Sequence, residues 1–227
     1  MDCYYKYNCN GRDCEKFCQR KYKLDFLYNE ALLTDSQKVR FALKIDADGT
    51  DLEAFKRLQN IEQNILTFID EKQNLYIHSS NCGNGKSSWA IRMIQSYFDA
   101  IWPITELTCR ALFISVPKFL LASKDKITAK NDYFDHIKKY YLSADLVIWD
   151  DIATSNATDY EMSQLLSMID ARLVAGKTNI FTSNLSPKQM SKALGERLAS
   201  RVCTKSVDIE LFGSDKRNLQ SVESRKW

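Results

Sequence analysis

The chain contains little proline and glycine, and it has no long hydrophobic run. Three prolines and seven glycines among 227 residues, without a repeat or a low-complexity tract, indicate a chain built mainly of regular helices and strands. No stretch approaches the ~18 apolar residues of a membrane-spanning helix, and the first residues include no apolar run of the secretory type. The sequence therefore predicts a cytoplasmic protein that has no membrane partner.

The chain also lacks a strong charge of either sign, and it has only two histidines. A formal charge of +3 and a pI near 8.4 permit contact with nucleic acid without predicting it. His78 falls in a predicted strand and His136 in a predicted helix, and neither has neighbours along the chain that indicate a metal ligand or a catalytic base. An apolar fraction of 44% is sufficient for one buried core, so we expect one ordinary domain with a small appendage.

Short apolar segments alternate with helical patterns from about residue 52 onward. Apolar residues at three- and four-residue spacing predict a helix over 52–68, and the order Thr158-x-x-Glu161 predicts the start of another. Strands are predicted over 75–79, 111–116, 146–149, 179–182 and 207–212. Short apolar strands separated by helices are typical of a parallel sheet that is covered on both faces. The predicted fold class is therefore α/β.

The first predicted strand runs into a glycine-rich turn that is followed by Lys86 and Ser87. In such a turn, backbone N–H groups close around phosphates, a lysine adds a point charge, and a serine hydroxyl can bind Mg²⁺. The start of the following helix contributes further positive potential. The usual pattern G-x-x-x-x-G-K-[ST] has glycine at the position of Ser80, so the match is imperfect. The predicted nucleotide-binding residues are Gly83, Asn84, Gly85, Lys86, Ser87 and Ser88, and Ser87 is also a predicted Mg²⁺ ligand.

Two carboxylates, Asp150 and Asp151, follow the apolar strand 146–149. Beside a phosphate-binding turn, the first would hold Mg²⁺, directly or through water, and the second would orient or deprotonate the attacking water. A strand that ends in an ordinary polar turn explains the same residues when they are taken alone. The order of the two motifs along the chain favours the functional interpretation.

Two further segments carry polar residues that suit an ATPase. The strand over 179–182 leads to Asn184, whose amide would lie near the γ-phosphate, although an Asn-containing turn is the simpler interpretation. Arg197 and Arg201 are four residues apart and share a helix face, from which a guanidinium could reach the site of a neighbouring subunit. A pair of solvated arginines is the alternative.

Taken in order, these motifs resemble the AAA+ ATPases, and among them the DnaC/DnaI family of bacterial and phage helicase loaders. The segments that carry the resemblance are 83–87, 113–121, 146–151, 181–184 and 197–201. The resemblance covers roughly residues 50 to 220 and implies an AAA+ P-loop ATPase core around a central parallel sheet. It implies these roles: Lys86 and Ser87 in Walker A, Asp150 and Asp151 in Walker B, Asn184 as sensor 1, Arg201 or else Arg197 as arginine finger, and Arg217 as sensor 2.

Two departures from the family pattern predict slow hydrolysis. Ser80 replaces the first Walker A glycine, and Asp151 stands where many AAA+ proteins carry Glu. Asp is shorter by one methylene, and a shift of about 1 Å in the group that positions water can cost on the order of a hundredfold in rate. We therefore expect ATP binding with weak ATPase activity.

Four of the seven cysteines crowd the start of the chain: Cys3, Cys9, Cys14 and Cys18. In the cytosol thiols stay reduced, so the cluster indicates a metal more than disulfides. Four thiolates at short spacing suit tetrahedral Zn²⁺, and an iron–sulfur cluster uses the same ligands. The alternative is that the cysteines lie on a helical arm and bind no metal. We predict a Cys-rich N-terminal domain over 1–45 that docks on a helicase, and an AAA+ domain over 50–227 that lacks a helical lid.

Lysines are interleaved with aromatic residues between the second and third predicted strands. Such mixtures suit single-stranded DNA, because the lysine charges attract the phosphates along the strand and the aromatic rings stack on the bases. A solvated helix with its aromatic face in the core is the alternative. In the family that the chain resembles, this region can line the central pore of an oligomer. The predicted DNA-binding residues are Lys126, Lys130, Lys138 and Lys139.

The resemblance implies an ATP-dependent loader that places a replicative DnaB-type helicase on single-stranded DNA. Such a protein self-associates through its ATPase domain and requires ATP and Mg²⁺. Two other functions stay open. An IstB-like transposition helper would bind duplex DNA and a transposase, and a helicase adaptor would keep the phosphate-binding turn without hydrolysing ATP.

Overall fold

The structure is a computed structural model, and it describes residues 18–40, 42–43, 45–46, 49–125, 131–153 and 158–216. Several residues singled out above lie outside these ranges: Cys3, Cys9, Cys14, Lys126, Lys130 and Arg217. Within the described ranges, no helix has the length and apolar content that a membrane span requires.

Five parallel strands form one sheet in the order β2-β3-β4-β1-β5. They are β1 (Asn74–His78), β2 (Ala111–Ser115), β3 (Leu146–Asp150), β4 (Thr178–Ser183) and β5 (Ser206–Glu210). Each strand lies within two residues of a predicted one, so the prediction of an α/β fold with a parallel sheet is confirmed. The four strands from β1 to β4 are buried almost throughout, which explains why they read as continuous apolar runs.

The helices of the described chain surround this sheet. They are α1 (Gln19–Glu30), α2 (Asp35–Lys38), α3 (Leu52–Gln63), α4 (Ile65–Asp70), α5 (Lys86–Ile101), α6 (Val116–Asp125), α7 (Asp132–Tyr140), α8 (Asp159–Val174), α9 (Pro187–Leu194) and α10 (Glu196–Cys203). The single helix predicted over 52–68 is wrong in that it breaks at Asn64, whose side-chain amide donates to the carbonyl of Asn60 at 2.9 Å. The capping box of Thr158 and Glu161 is confirmed at the start of α8.

Alternate residues of β1 divide between two hydrophobic clusters. Leu75 and Ile77 belong to the cluster covered by α1, α3, α4 and α5. Tyr76 belongs to the cluster covered by the helices from α6 to α10, together with Trp149 and Phe181. Because successive strand residues point to opposite faces, the two clusters lie on opposite faces of the sheet. This double cover leaves the carboxyl ends of the strands free for a site.

Helix α1 packs into the main core. Leu27 is fully buried, and the ring of Tyr28 meets the ring of Phe98 edge-on at 5.4 Å. Beyond the helix, the carbonyl of Ala31 accepts a hydrogen bond from the backbone N–H of Phe113 in the edge strand β2, at 2.9 Å. The described end of the predicted N-terminal unit therefore shares its core with the sheet. The division of the chain into domains over 1–45 and 50–227 stays a prediction.

A buried arginine on α8 ties together the segments that lead into β3 and β4. The Arg172 side chain is fully buried. It donates to the carbonyls of Tyr141, Ala144 (2.9 Å) and Thr178 (2.6 Å) and to Asn179 Oδ1 (2.7 Å). Burial lowers the pKa of the guanidinium to about 9, so it is charged at neutral pH. The Arg172 guanidinium is therefore the hydrogen-bond donor for these buried carbonyls, and an apolar side chain could not donate to them.

We expect Arg172→Met to destabilise the fold by about 3–5 kcal/mol, because several buried acceptors would lose their donor at once. Urea unfolding of the variant and wild type measures this difference. The exposed Arg57 of α3 provides the control: Arg57→Met should stay within about 0.5 kcal/mol of wild type. Equal stability of the two variants would show that the buried hydrogen bonds contribute little.

Candidate nucleotide-binding site

A cleft of about 430 Å³ opens at the carboxyl ends of β1, β3 and β4. Its lining comprises Cys82, Gly83, Asn84, Gly85, Lys86, Ser87, Ser88, Asp150, Asp151, Thr182 and Asn184. Ligands of open parallel α/β sheets bind at this edge. The structure therefore brings the described members of the predicted Walker A, Walker B and sensor-1 sets into one cleft.

The turn between β1 and α5 has the geometry of a phosphate-binding loop. Gly83 and Gly85 have φ of +74° and +107°, a region that side chains disfavour. Ser80, where the usual pattern has glycine, has no positive φ. The turn therefore forms without a glycine at position 80. Lys86 begins the 16-residue helix α5, so the helix N-terminus faces the cleft.

Side chains within the loop hold it in shape. Asn84 is buried, and its amide donates to Ser79 Oγ at 2.5 Å and to the carbonyl of Leu211 at 3.4 Å. Lys86 Nζ donates to the carbonyl of Asn81 at 2.8 Å and to Asn84 Oδ1 at 3.3 Å. The ammonium group therefore lies over the loop, where phosphate oxygens can replace these neutral acceptors.

The segment 211–216 crosses the loop after β5. The backbone N–H of Lys216 donates to the carbonyl of Gly83 at 2.9 Å, and the Asn81 amide donates to the carbonyl of Phe212 at 2.8 Å. A Cβ on Gly83 would lie 1.9 Å from Asp215 Oδ1. The φ of Gly83 favours glycine, and any side chain there would also displace the Asp215 carboxylate.

Asp46 and Asp51, which lie near the predicted domain boundary, bind this crossing segment through hydrogen bonds. Asp51 accepts from the backbone N–H groups of Phe212 and Gly213, each at 2.7 Å. Asp46 accepts from the N–H of Ser214 at 2.9 Å and from its hydroxyl at 3.0 Å. The predicted sensor-2 residue Arg217 follows directly, outside the described residues, so its role stays a prediction.

A threonine of β4 connects the two Walker B carboxylates. The Thr182 hydroxyl donates to Asp150 Oδ1 at 2.7 Å and accepts from the backbone N–H of Asp151 at 2.9 Å. Asn184 reaches the second carboxylate, with its amide 3.4 Å from Asp151 Oδ1. The structure thus places Asn184 beside Asp151 in the cleft, and its contact with a γ-phosphate stays a prediction. In the sequence, Thr182 is only the last residue of the predicted strand over 179–182, and its position two residues before Asn184 is the one local signal of this role.

Asp151 has an unusual backbone and an unusual environment. Its φ is +55°, in the left-handed region that Asp tolerates better than most residues. Its pKa is raised, first because burial removes hydration and then because Asp150 lies nearby, whereas Lys86 acts in the opposite direction. A carboxylate with a raised pKa is a better proton acceptor at neutral pH than an ordinary Asp.

Arg197 and Arg201 share one face of α10, as predicted, and both point at Asp170 of α8. Arg201 Nε lies 2.5 Å from Asp170 Oδ1, and Arg197 lies 3.6 Å from Oδ2. Both arginine side chains are substantially exposed. Neither belongs to the lining of the cleft in its own chain.

The donor set of the cleft fits ATP and Mg²⁺. The helix N-terminus and Lys86 supply positive charge for phosphates, and the hydroxyl of Ser87 and the carboxylate of Asp150 are hard oxygen ligands. The two carboxylates lie together at the carboxyl end of β3, and β4 separates this strand from β1 and its loop in the sheet. These residues suit a magnesium nucleotide better than an uncharged ligand.

The two described members of the predicted DNA-binding set lie on the surface of α7. Lys138 and Lys139 are exposed, and Lys139 Nζ lies 4.6 Å from the centre of the Tyr140 ring. Phe134 and Ile137 of the same helix are buried. The apolar face of this helix lies in the core, as the alternative interpretation predicted, and its lysines are exposed; their contact with single-stranded DNA stays a prediction.

The fold gives His136 neighbours that its sequence context does not indicate. Its ring lies beside Glu30 and Cys109. These residues are too far apart along the chain for a local pattern to reveal them. His78 is buried in β1, as expected for a packing residue.

No protein-family model matches the chain, and no curated protein matches it. Solved structures do match. A crystal structure of the DnaC helicase loader has a TM-score of 0.59 at 16% identity, over 82% of this chain and 98% of that one. A crystal structure of DnaI has a TM-score of 0.58 at 17% identity, over 84% and 100%. AMPPCP-bound DnaA from Aquifex aeolicus has a TM-score of 0.55 at 18% identity, over 81% and 54%.

These similarities show the fold. The chain has the α/β fold of the AAA+ P-loop ATPases, and the predicted resemblance to DnaC and DnaI is confirmed at the level of the fold.

Proposed function

We propose that the chain is an ATP-dependent loader that places a replicative, DnaB-type helicase on single-stranded DNA at the initiation of replication. One observation carries the proposal: the phosphate loop, both carboxylates and Asn184 line one cleft in a fold that matches the DnaC helicase loader over 98% of that chain. The similarity to DnaI and DnaA supports a replication-related AAA+ ATPase.

The residues of the cleft have different roles in ATP hydrolysis. Backbone N–H groups of the loop and Lys86 bind the phosphates, and Lys86 exchanges the carbonyl of Asn81 for a phosphate oxygen. Ser87 and Asp150 would hold Mg²⁺, which when bound supplies charge neutralisation for the phosphates. Asp151 accepts the proton of the attacking water, and Asn184 orients that carboxylate.

We propose slow hydrolysis. The raised pKa of Asp151 favours proton abstraction, but its side chain is one methylene shorter than the Glu of many AAA+ proteins. A shift of about 1 Å in the group that positions water can cost on the order of a hundredfold in rate. A turnover typical of a molecular motor would contradict this part of the proposal.

Hydrolysis in trans is expected to depend on Arg201. Arg201→Ala should lower the turnover of the assembled protein by up to about a thousandfold, because a guanidinium would no longer stabilise charge on the transferred phosphoryl group. The affinity for nucleotide should not change, since the residue lies outside the cleft of its own chain. Arg57→Ala on α3 is the matched control. Full turnover in Arg201→Ala and also in Arg197→Ala would contradict an arginine finger on α10.

Single-stranded DNA is expected to contact the basic face of α7. The double variant Lys138→Glu/Lys139→Glu should weaken binding and make the slope of log affinity against log salt shallower by about 1.4, since each neutralised phosphate contributes roughly 0.7. Titrations of a labelled oligonucleotide at several salt concentrations measure both quantities. Lys188→Glu/Lys192→Glu on α9 reverses the same charge and should behave like wild type, whereas equal losses in both variants would indicate a general charge effect only.

We place the contact with the helicase in the N-terminal unit, where the four cysteines remain candidates for zinc or an iron–sulfur cluster. Cys18, the one member that the structure describes, caps α1 with its sulfur 3.4 Å from the N–H of Lys21. Because α1 packs in the core, removal of residues 1–45 would damage the ATPase domain. Removal of residues 1–17 is the better test of docking.

The function is tested by retention of the chain on an immobilised replicative helicase with ATP, with ADP and without nucleotide. We expect retention that depends on nucleotide and is lost when residues 1–17 are removed. Retention on a transposase and not on a helicase would indicate a transposition helper. Retention on the helicase that is the same in all three conditions would indicate an adaptor that does not use ATP.

A further inference from the structure

Three side chains of metal-binding types meet at the end of the sheet away from the nucleotide cleft. Glu30 is the last residue of α1, Cys109 precedes the amino end of β2, and His136 lies in α7. The cleft lies at the carboxyl ends of the strands, so this group is separate from it. Three elements that are distant along the chain thus contribute one residue each.

The donor atoms of the three side chains all lie within 4.8 Å of one another. His136 Nε2 lies 4.0 Å from a carboxylate oxygen of Glu30. Cys109 is a free cysteine and is 5% exposed, while the other two side chains are half-buried. A small movement of the side chains would bring all three donor atoms within bonding distance of one metal ion.

The backbone carbonyl of Glu30 holds the cluster together. It lies 2.8 Å from His136 Nε2 and accepts a hydrogen bond from Cys109 Sγ at 3.5 Å. Both ligand side chains are therefore already turned toward Glu30. Without a metal, these contacts keep the imidazole and the thiol turned toward Glu30, and bonds to an ion would replace them.

Thiolate, imidazole and carboxylate together select a particular type of ion. Zinc binds all three donor types, and sites with three protein ligands complete a tetrahedron with water. The soft thiolate and the imidazole disfavour Mg²⁺ and Ca²⁺, which require oxygen ligands. The cluster therefore suits Zn²⁺ rather than the ion of the nucleotide cleft.

We propose that Glu30, Cys109 and His136 bind one Zn²⁺ ion, which fastens the end of α1 to β2 and α7. On binding, the Cys109 thiol loses its proton to solvent, and the imidazole carries its proton on Nδ1 so that Nε2 can coordinate. A water in the fourth position can donate to the Glu30 carbonyl that the two side chains release. The ion would couple α1, which follows Cys18, to the helix that carries Lys138 and Lys139.

This site is distinct from the candidate centre of the N-terminal cysteines. It shares no ligand with Cys3, Cys9, Cys14 and Cys18, so the two are separated by counting ions in single variants. It also requires neither ATP nor helicase. The zinc site is therefore independent of whether the chain loads a helicase.

Zinc analysis of the full chain, purified under reducing conditions and equilibrated with Zn²⁺, tests the proposal. We expect Cys109→Ser and His136→Gln to contain one ion per chain fewer than wild type. Cys203→Ser changes another free, partly buried cysteine and should keep the wild-type content. The same zinc content in wild type, Cys109→Ser and His136→Gln would overturn the proposal.

Glu30→Gln provides a variant that is expected to fold, because it replaces a half-buried carboxylate with a side chain of the same shape. Added Zn²⁺ should raise the melting temperature of wild type, and Glu30→Gln should show a smaller rise, since an ion that binds the native state stabilises it. Cobalt in place of zinc should give a thiolate-to-metal absorption band that is weaker in Cys109→Ser than in Cys203→Ser. Equal melting shifts and equal cobalt spectra would show that the cluster is held by hydrogen bonds alone.

Discussion

Asp151→Asn is expected to abolish ATP hydrolysis and, at the same time, to stabilise the protein in the absence of nucleotide. Removal of a general base costs roughly 10²–10⁴-fold in rate. The gain in stability follows from the raised pKa of Asp151, which burial and Asp150 cause. Asn tolerates the left-handed backbone at this position, and its side-chain oxygen can still accept from Asn184.

The sign of the pH dependence follows from linkage. An acid whose pKa is higher in the folded state binds its proton more tightly there, so its charged form costs stability at neutral pH. This cost is present above the folded pKa and disappears as the pH falls below the ordinary value of Asp. The difference in melting temperature between Asp151→Asn and wild type should therefore be positive at neutral pH and shrink on acidification.

Asp35→Asn is the matched control for this prediction. Asp35 is exposed, and Lys38 lowers the pKa of its carboxyl, so its neutralisation should not raise the melting temperature. It lies on α2, away from the cleft, and the variant should hydrolyse ATP at the wild-type rate. A lower melting temperature for Asp151→Asn, or hydrolysis at the wild-type rate, would contradict the role assigned to this carboxylate.

Lys86→Ala is expected to weaken ATP binding by roughly 10- to 100-fold, the equivalent of one charge-assisted hydrogen bond in a partly desolvated site. Titration with a fluorescent ATP analogue measures the affinity. Lys56→Ala on the exposed face of α3 serves as the control and should bind like wild type. If Lys86→Ala binds the analogue as tightly as wild type while melting at the same temperature, the loop is not the phosphate site.

The strands and the cleft were predictable because their signals are local. β1 and β3 are buried on both faces and read as apolar runs, and each leads directly into its functional residues. Parallel strands present their carboxyl ends at one edge, and the sheet places β3, β4 and β1 side by side, so Lys86, Asp150 and Asn184 meet there. The fold supplied the strand order and the distances.

The contacts that the sequence did not reveal are those between distant segments. Asp51 accepts from the N–H of Phe212, 161 residues away, and no local pattern connects the two. His136 meets the end of α1 across 106 residues. Hydrogen bonds of this kind depend on how helices pack on the sheet, which periodicity does not specify. The same reason explains why the sequence did not reveal that α1 packs in the main core.

The central claim is tested most directly by loading a ring-shaped replicative helicase onto closed circular single-stranded DNA, which offers no end for threading. Helicase retained on the circles is measured after gel filtration with the chain and ATP, with Lys86→Ala and ATP, and without the chain. The account predicts retention that requires the wild-type chain and ATP and that falls to the background level with Lys86→Ala. Helicase on the circles at the same level in all three reactions would contradict it.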